Sequence, residues 1–509
     1  MGAPTVQEAG HDHRWVLLAL TSVGAFMTPL DASIVAVALP RMGPLLNLSL
    51  AASLWVQAAY LLSIAVLLIP LGRLADQRGR VRFYLAGIAI FTVASLAAAL
   101  SWNAPSLILS RILQGVGGAL LNATSAAIVT SVFPAQERGR ALGINVMAVY
   151  LGLSVGPPLG GVLVDHFGWP WIFLVNLPIG LGVFLWGWRI LPRHGSESQP
   201  PTAGARRAGP LDLSGAALLA LSLVGLLVPL TFASEWGWAS FRVWALLGLS
   251  LLALGGFYAR EERAAVPLVD LGLLRRNRLF AAANLAALLN YMALYAIAIL
   301  TAAQLELVQG WSAKATGWIM LGQPLMQACL SPLSGRLSDR VGSRLLSTAG
   351  MGLVALGMVL LALQGRSGSL LSVVAALAIV GVGMAAFSAP NTSAIMGSVA
   401  RSQLGVASAF LGTMRVTGQA LSVAILGGIA ASHLGPGGWK QLLHVGASPQ
   451  AAAAYARGYS AAMLTGAGLA LGGLGLSGPG GPPGLRSALG SRSGVVTAPR
   501  PGPRKILRT

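Results

Sequence analysis

The sequence predicts an all-α integral membrane protein of fourteen transmembrane helices: two pseudo-symmetric six-helix bundles with two extra helices between them. Three observations carry that expectation. The 509 residues are 55% hydrophobic and only 9% charged, with a mean hydropathy of +0.73, where a soluble chain carries about 25% charged residues. Apolar runs near the ~20 residues needed to cross a hydrocarbon core recur from one end to the other and leave no room for a soluble domain. A short polar signature, GRLADQRGR at 72–80, returns as GRLSDRVGSR at 335–344, an offset of 263.

Taken in order, helices are expected at 15–39, 51–71, 82–101, 105–132, 140–164, 171–191, 211–232, 241–258, 279–305, 315–335, 346–364, 369–396, 404–431 and 459–476. The first run has no small-residue cleavage site and holds Asp31, so it reads as a retained span and not a signal peptide. Two further matches extend the repeat. Gly115 and Gly117 pair with Gly381 and Gly383, while Leu142, Gly143 and Gly156 pair with Leu404, Gly405 and Gly418. The organisation that follows is a first half over 1–191, a linker with two helices over 192–277, a second half over 278–478, and a basic Pro/Gly-rich tail over 479–509 with too little apolar content to fold. An even-numbered insertion leaves both halves in the same orientation, as in secondary transporters that rock about a central site.

A net charge of +20 raises nucleic acid as a partner, so the distribution of the basic residues must decide. Of 34 Lys and Arg, 20 fall in loops on the side of the N-terminus and 6 on the opposite side. This is topology. The positive-inside rule puts both termini in the cytoplasm, and the excess of Arg over Lys, with abundant Ala, Gly and Leu, points to a GC-rich bacterium and its cytoplasmic membrane.

Several chemistries are excluded. Cys329, the one cysteine, cannot form an internal disulfide and reads as packing, and all six histidines lie in loops or tails. No GxxxxGK[ST] exists to cradle a nucleotide. Neither an enzyme nor a cofactor nor a metal is expected, and uphill movement of a solute would have to draw on a gradient.

Five motifs in order resemble the major facilitator superfamily, in particular its fourteen-helix drug:proton antiporters of the EmrB/QacA type. They are LDASIVAVALP in helix 1, GRLADQRGR after helix 2, RILQGVGGALL in helix 4, GLSVGPPLGG in helix 5 and WPWIFLVNLPIG opening helix 6. The likeness covers about residues 15–432. It implies a major facilitator fold, alternating access, and export of hydrophobic or amphipathic compounds such as drugs, antibiotics or a self-made metabolite. It also implies that Asp76 locks the halves together in one state by docking at the start of helix 13, with Asp339 facing helix 5 by pseudo-symmetry. Gly72, Arg73, Arg78 and Gly79 belong to the same gating loop. In helix 5, Gly152, Gly156 and Gly160 make a flat face for close helix approach and Pro157 and Pro158 bend the helix; with Gly161 they match an element that, the resemblance implies, marks antiporters more than symporters.

Charges inside spans are the remaining clue, since one at a helix centre costs about 2.5–3.5 kcal/mol on insertion scales. Asp31, Arg111 and Arg415 are such charges, whereas Glu306 is expected at a helix end within reach of water. Asp31 and Arg111 lie at depths differing by only ~4–5 Å and are expected to pair. Desolvation and a nearby guanidinium push a carboxylate in opposite directions, which suits a proton carrier. Arg415 has no acid at its counterpart, Leu153; capping carbonyls, binding an anionic group and pairing with a polar neighbour all remain open. For the substrate wall the candidates are Asn284, Tyr291 and Tyr295 in helix 9, with Trp55, Gln57 and Tyr60 in helix 2 and Phe387 and Asn391 in helix 12. Such groups serve equally as interhelical hydrogen bonds. The expected partners are a small amphipathic substrate, protons and the bilayer, with no nucleic acid and with the chain acting as a monomer. The competing functions are a dedicated transporter of one metabolite or siderophore, and a receptor built on a transporter scaffold, which would have no use for a titratable Asp31.

Overall fold

Several of the apolar runs open as helices on a capping side chain. Ser49 accepts from the Ala52 N–H, Asn277 from Phe280, Ser312 from Ala315 and Ser369 from Ser372, and Asn103 and Ser106 satisfy each other's backbone in a capping box. The computed structural model describes residues 6–134, 137–190, 212–264, 271–365, 368–399, 403–435, 438–443 and 448–477; the expected tail at 479–509 and most of the polar linker lie outside them.

The first bundle holds α1 (Val6–Leu45), α2 (Leu50–Arg78), α3 (Arg80–Ala99), α4 (Ala104–Val132), α5 (Arg138–Phe167), α6 (Trp171–Leu174) and α7 (Asn176–Ile190). Two more follow, α8 (Leu213–Trp236) and α9 (Phe241–Arg263), and a short α10 (Leu271–Arg276). The second bundle holds α11 (Arg278–Leu294), α12 (Ala296–Ala303) continued by a π-helical turn Gln304–Val308, α13 (Ala313–Met320), α14 (Gly322–Val341), α15 (Ser343–Ala362), α16 (Leu370–Gly397), α17 (Leu404–Ser432), α18 (Gly438–Leu443) and α19 (Pro449–Ser477). Below, the face bearing the α1–α2 turn is called upper and the face bearing the α2–α3 turn lower.

The repeat read from sequence is a repeat of packing. In the first bundle α1 packs on α5, α3 on α4 and α2 on α4; in the second α11 packs on α17, α15 on α16 and α14 on α16. The matched glycines sit at matched crossings: a Cβ on Gly117 would meet the Gly87 carbonyl at 2.9 Å, and one on Gly383 would meet that of Gly350 at 2.7 Å. The turns behind the two GRL motifs also agree, since Gly79 and Gly342 take φ of +110° and +90°, a region that favours glycine.

Two seams join the bundles, α5 against α13 and α2 against α17. The pair α8–α9 is laid over the second seam, with α8 touching both α2 and α17. Phe232 of α8 stacks on Trp55 of α2, and the Leu230 carbonyl abuts Gly428 of α17.

Twelve helices among the described residues are long and apolar enough to cross a membrane. Two of the expected spans do not reach that mark although they are helical. The run at 315–335 breaks at Leu321 into α13 and α14, and that at 459–476 is the end of the longer, Ala- and Gly-rich α19. Two smaller expectations change. Cys329 is exposed on α14 and fills no core position. Glu306 is withdrawn from water, with a side chain only 2% exposed, because the π-helical turn rolls it inward under Arg41.

Candidate functional site

The site is built where α1, α2 and α4 converge. Asp31 and Arg111 are both fully buried, and the Arg111 Nη1 donates to Asp31 Oδ2. The guanidinium is otherwise occupied by its own bundle: Nε donates to the Val56 carbonyl at 2.9 Å, Nη1 to Gln114 Oε1 at 2.6 Å and Nη2 to Gln57 Oε1 at 3.3 Å. Its plane lies over the Tyr60 ring, 4.2 Å from the centroid, a cation–π contact strengthened by the absence of solvent. Asp31 Oδ1 takes two more donors, Gln114 Nε2 at 2.7 Å and Asn176 Nδ2 at 3.1 Å. Every neighbour donates to Asp31 and none accepts from it, so the arrangement is that of an ionised carboxylate.

Gln114, Asn176 and Ser95, which takes the second Gln114 N–H at 2.9 Å, are missing from the residues singled out by sequence. Signals existed for two of them: Gln114 follows Arg111 by one helical turn in RILQGVGG, and Asn176 stands in WPWIFLVNLPIG.

The candidate substrate residues divide. Gln57, which also donates to the Ala32 carbonyl at 2.7 Å, and Tyr60, which donates to that of Thr28 at 3.3 Å, belong to the shell around the ion pair. Asn284 donates to the Phe280 carbonyl within its own helix, whereas Asn391 donates to the Ala283 carbonyl and Phe387 packs with Met351, two contacts that tie helices of the second bundle together. Tyr291 and Tyr295 instead face the first bundle. Tyr295 lies beside Asp31 and Arg111, and its buried hydroxyl has no hydrogen-bond partner. Tyr291 faces Arg415 and Ser388, and Ser388 shares a 3.3 Å hydrogen bond with Tyr150 of α5.

The glycine element of α5 has two faces. Gly152, Gly156 and Gly160 press on α1, with added Cβ atoms meeting the Phe26 carbonyl at 2.4 Å, Ser33 Oγ at 1.8 Å and Ile34 Cγ1 at 2.7 Å. Gly161 and the Pro157–Pro158 stretch press on the other bundle: a Cβ on Gly161 would lie 2.3 Å from the Ala313 carbonyl, and one on Gly317 2.2 Å from the Pro157 carbonyl. Above this seam Asp165 Oδ2 accepts from the Lys314 N–H at 2.8 Å, and Arg41 reaches both Asp165 at 3.9 Å and Glu306 at 3.6 Å. Neither Glu306 oxygen receives a hydrogen bond.

On the lower face Asp76 is held within its own loop, accepting from Arg80 Nε at 2.5 Å, while Arg80 Nη1 donates to the Ala127 carbonyl at 3.1 Å. Gly72 leaves room for Ala123, 3.4 Å from where its Cβ would stand, Gly79 makes the turn, and Arg78 is exposed. Arg73 lies near Asp212 and Glu261 of the inserted pair. The side chain of Asp339 lies outside the described residues. At the start of α8, burial pushes the Asp212 carboxyl up, but the Gly215 N–H, the Arg260 guanidinium and Ser214 outweigh it and hold the pKa down at about 2. Among the described residues no group of His, Cys, Asp and Glu is placed to hold a metal.

These features agree with what the chain resembles. The sequence model of the Major Facilitator Superfamily matches residues 21–283 and 279–472. A riboflavin transporter, RibZ, of Clostridioides difficile is 32% identical over 83% of this chain and 89% of its own length. The multidrug resistance protein Stp of Mycobacterium tuberculosis is 34% identical over 82% and 76%, and the tetracenomycin C resistance and export protein of Streptomyces glaucescens 31% over 86% and 81%. Among solved structures, a bacterial homologue of the human lysosomal transporter Spinster, in an inward-facing and unoccupied conformation, superposes with a TM-score of 0.64 at 17% identity, covering 91% of this chain and 95% of that one. The chain is a multi-pass membrane transporter and belongs to the major facilitator superfamily.

Proposed function

We propose that this transporter is a proton-coupled antiporter that exports hydrophobic or amphipathic compounds across a bacterial cytoplasmic membrane by alternating access. In this reading it has fourteen spans, α13–α14 and α19 completing the set, with both termini in the cytoplasm, the halves divided at 191 and 278, and a monomer as the working unit. The carrying observation is the fully buried Asp31, bound by Arg111, Gln114 and Asn176.

A buried carboxylate exchanges a proton usefully only when its donors come and go. With the upper seam closed, α5 against α13 and Arg41 over Glu306, the donors converge on Asp31 and its proton has been released toward the lower, cytoplasmic face. When the seam opens, the donors loosen, water enters from above and Asp31 takes up a proton. Arg111 drives the release by restoring the ion pair. Asp76, held by Arg80 here, is free to dock at the start of α17 in the other state. One charge crossing ~100 mV is worth ~2.3 kcal/mol, which sustains a gradient of roughly fiftyfold for a neutral substrate. The name of RibZ favours a second reading, a dedicated transporter of one metabolite; growth inhibition across a chemically diverse panel, with and without the gene, separates broad from narrow export.

The coupling is tested in everted vesicles with a pH-sensitive dye. Adding a transported compound should release protons from energised vesicles with the native protein, and Asp31→Asn should abolish that release. Release that survives Asp31→Asn overturns the mechanism.

A further inference from the structure

We propose that Arg415, with Tyr291, Ser388 and Tyr150, forms an anion-binding subsite for the acidic group of an aromatic, amphipathic substrate. This deepens the export reading above and rests on it for the direction of transport.

Arg415 is the twelfth residue of α17, roughly 17 Å along the helix from its lower end, where a charge is not retained without a counterpart. Among the described residues Arg415 enters no ion pair. The one carboxylate at comparable depth, Asp31, is enclosed by three donors of the first bundle. The Tyr291 hydroxyl faces both Arg415 and Ser388, and Ser388 is hydrogen-bonded to Tyr150 from the opposite bundle. A guanidinium fork beside hydroxyl donors, drawn from both halves of the molecule, is a receptor for a planar oxyanion such as a carboxylate. The architecture does not require this charge, because the matched position in the first bundle is Leu153.

The walls specify the rest of the substrate. Tyr295 lies one turn beyond Tyr291, on the same side of its helix, with a buried hydroxyl that lacks a partner and with Asp31 and Arg111 next to it. An acid held at Arg415 therefore lays its aromatic body along Tyr291 and Tyr295 toward the proton site. A cationic substrate finds no open carboxylate there. Export of an anion also uses the membrane potential directly, a further factor of about fifty per 100 mV.

The test uses three probes of one shape, 2-naphthoate, 2-naphthamide and 2-naphthylmethylammonium, bound to the purified full-length protein and followed by titration calorimetry. The native protein should bind the carboxylate at least ~10-fold more tightly than the amide or the ammonium, as expected for a charge-assisted hydrogen bond. Arg415→Gln should bring the three affinities together, and Arg415→Lys should keep several-fold preference for the acid. Should Arg415→Gln fail to fold, Arg415→Lys and Tyr291→Phe carry the test, each lowering naphthoate binding more than naphthamide binding. Equal binding of all three probes by the native protein, a preference for the ammonium, or a loss equal for all three in Arg415→Gln overturns the subsite. The export reading fails separately: naphthoate that binds selectively but is not driven into everted vesicles by a pH gradient leaves the subsite standing and retracts proton-coupled export.

Discussion

Arg111 and Arg415 are the two arginines lying deep in spans, one in each bundle, and they are treated in opposite ways. Arg111 is fully buried and four of its N–H groups are bonded to Val56, Asp31, Gln114 and Gln57. Arg415 is partly exposed, faces hydroxyls and meets no acid among the described residues. In the mechanism proposed above, the site saturated by its own protein answers to a proton and the unsaturated one to a ligand. The pseudo-symmetry of the bundles makes the contrast sharper, since neither residue is repeated at the matched position of the other half.

The largest expected effect removes one partner of the saturated site. Arg111→Leu leaves Asp31 buried and uncompensated, a loss of about 3–5 kcal/mol. It should appear as a large fall in the unfolding temperature of detergent-purified protein, and the double variant Asp31→Asn with Arg111→Leu should recover more than half of it. Arg415→Leu should cost far less. If the two single variants fall equally, Arg415 is a structural partner like Arg111 and the contrast is broken.

The contrast also needs the saturated site to be closed off from the upper face. That closure depends on Gly317, where a Cβ would stand 2.2 Å from the Pro157 carbonyl. Gly317→Ala overpacks the seam by about 1–3 kcal/mol, and backbone on both sides prevents easy relief. In a Cys329→Ser background carrying a reporter cysteine at the upper seam, thiol labelling should quicken on the order of tenfold. Unchanged labelling would mean that α5 and α13 do not form the barrier.

A smaller effect on the same barrier is expected from Arg41→Ala. It leaves the Glu306 carboxyl, which already lacks a hydrogen bond, without its nearest cation. Because Arg41 is itself half-exposed, the cost is held to about 1 kcal/mol, and reporter labelling should rise less than for Gly317→Ala. A larger rise than that of Gly317→Ala would transfer the barrier from the glycine seam to the charges above it.

How much of this was legible in the sequence follows the same division. Helices, the two halves and the matching of Asp31 with Arg111 follow from hydropathy, self-similarity and rise per residue, which are local or linear properties. Gln114 and Asn176 stand inside the helix 4 and helix 6 motifs yet give no signal of their own, because an uncharged amide in a span carries no anomaly until its contacts are known. Gln57 and Tyr60 share helix 2 with Trp55, yet sequence cannot tell which of them turns to the ion pair and which to α8. The inward position of Glu306 is not legible, because nothing in QLELV announces a π-helical turn. The break at Leu321 is equally silent, since apolar residues flank it on both sides.

The smallest effect concerns an aspartate–arginine pair outside the spans. Asp212 caps α8 and pairs with Arg260 of α9 at 3.1 Å, and its pKa is held at about 2 against an unfolded value of about 3.9. A depressed carboxyl stabilises the fold above the unfolded value, and that contribution fades as pH falls from about 4 toward 2. Asp212→Asn keeps a good cap and loses the ion pair, so it should lower stability by under ~1 kcal/mol at neutral pH, because the arginine of the pair stands half in solvent. The difference from native protein should shrink as pH falls from about 4 and vanish only below about pH 2, whereas the deficit of Arg111→Leu at neutral pH is several times larger. Thermal unfolding at pH 7 and in steps below pH 4 checks both statements. A loss at pH 7 approaching that of Arg111→Leu would mean that Asp212, with Glu261 and Arg73 close by, anchors the inserted helices to the GRLADQRGR loop.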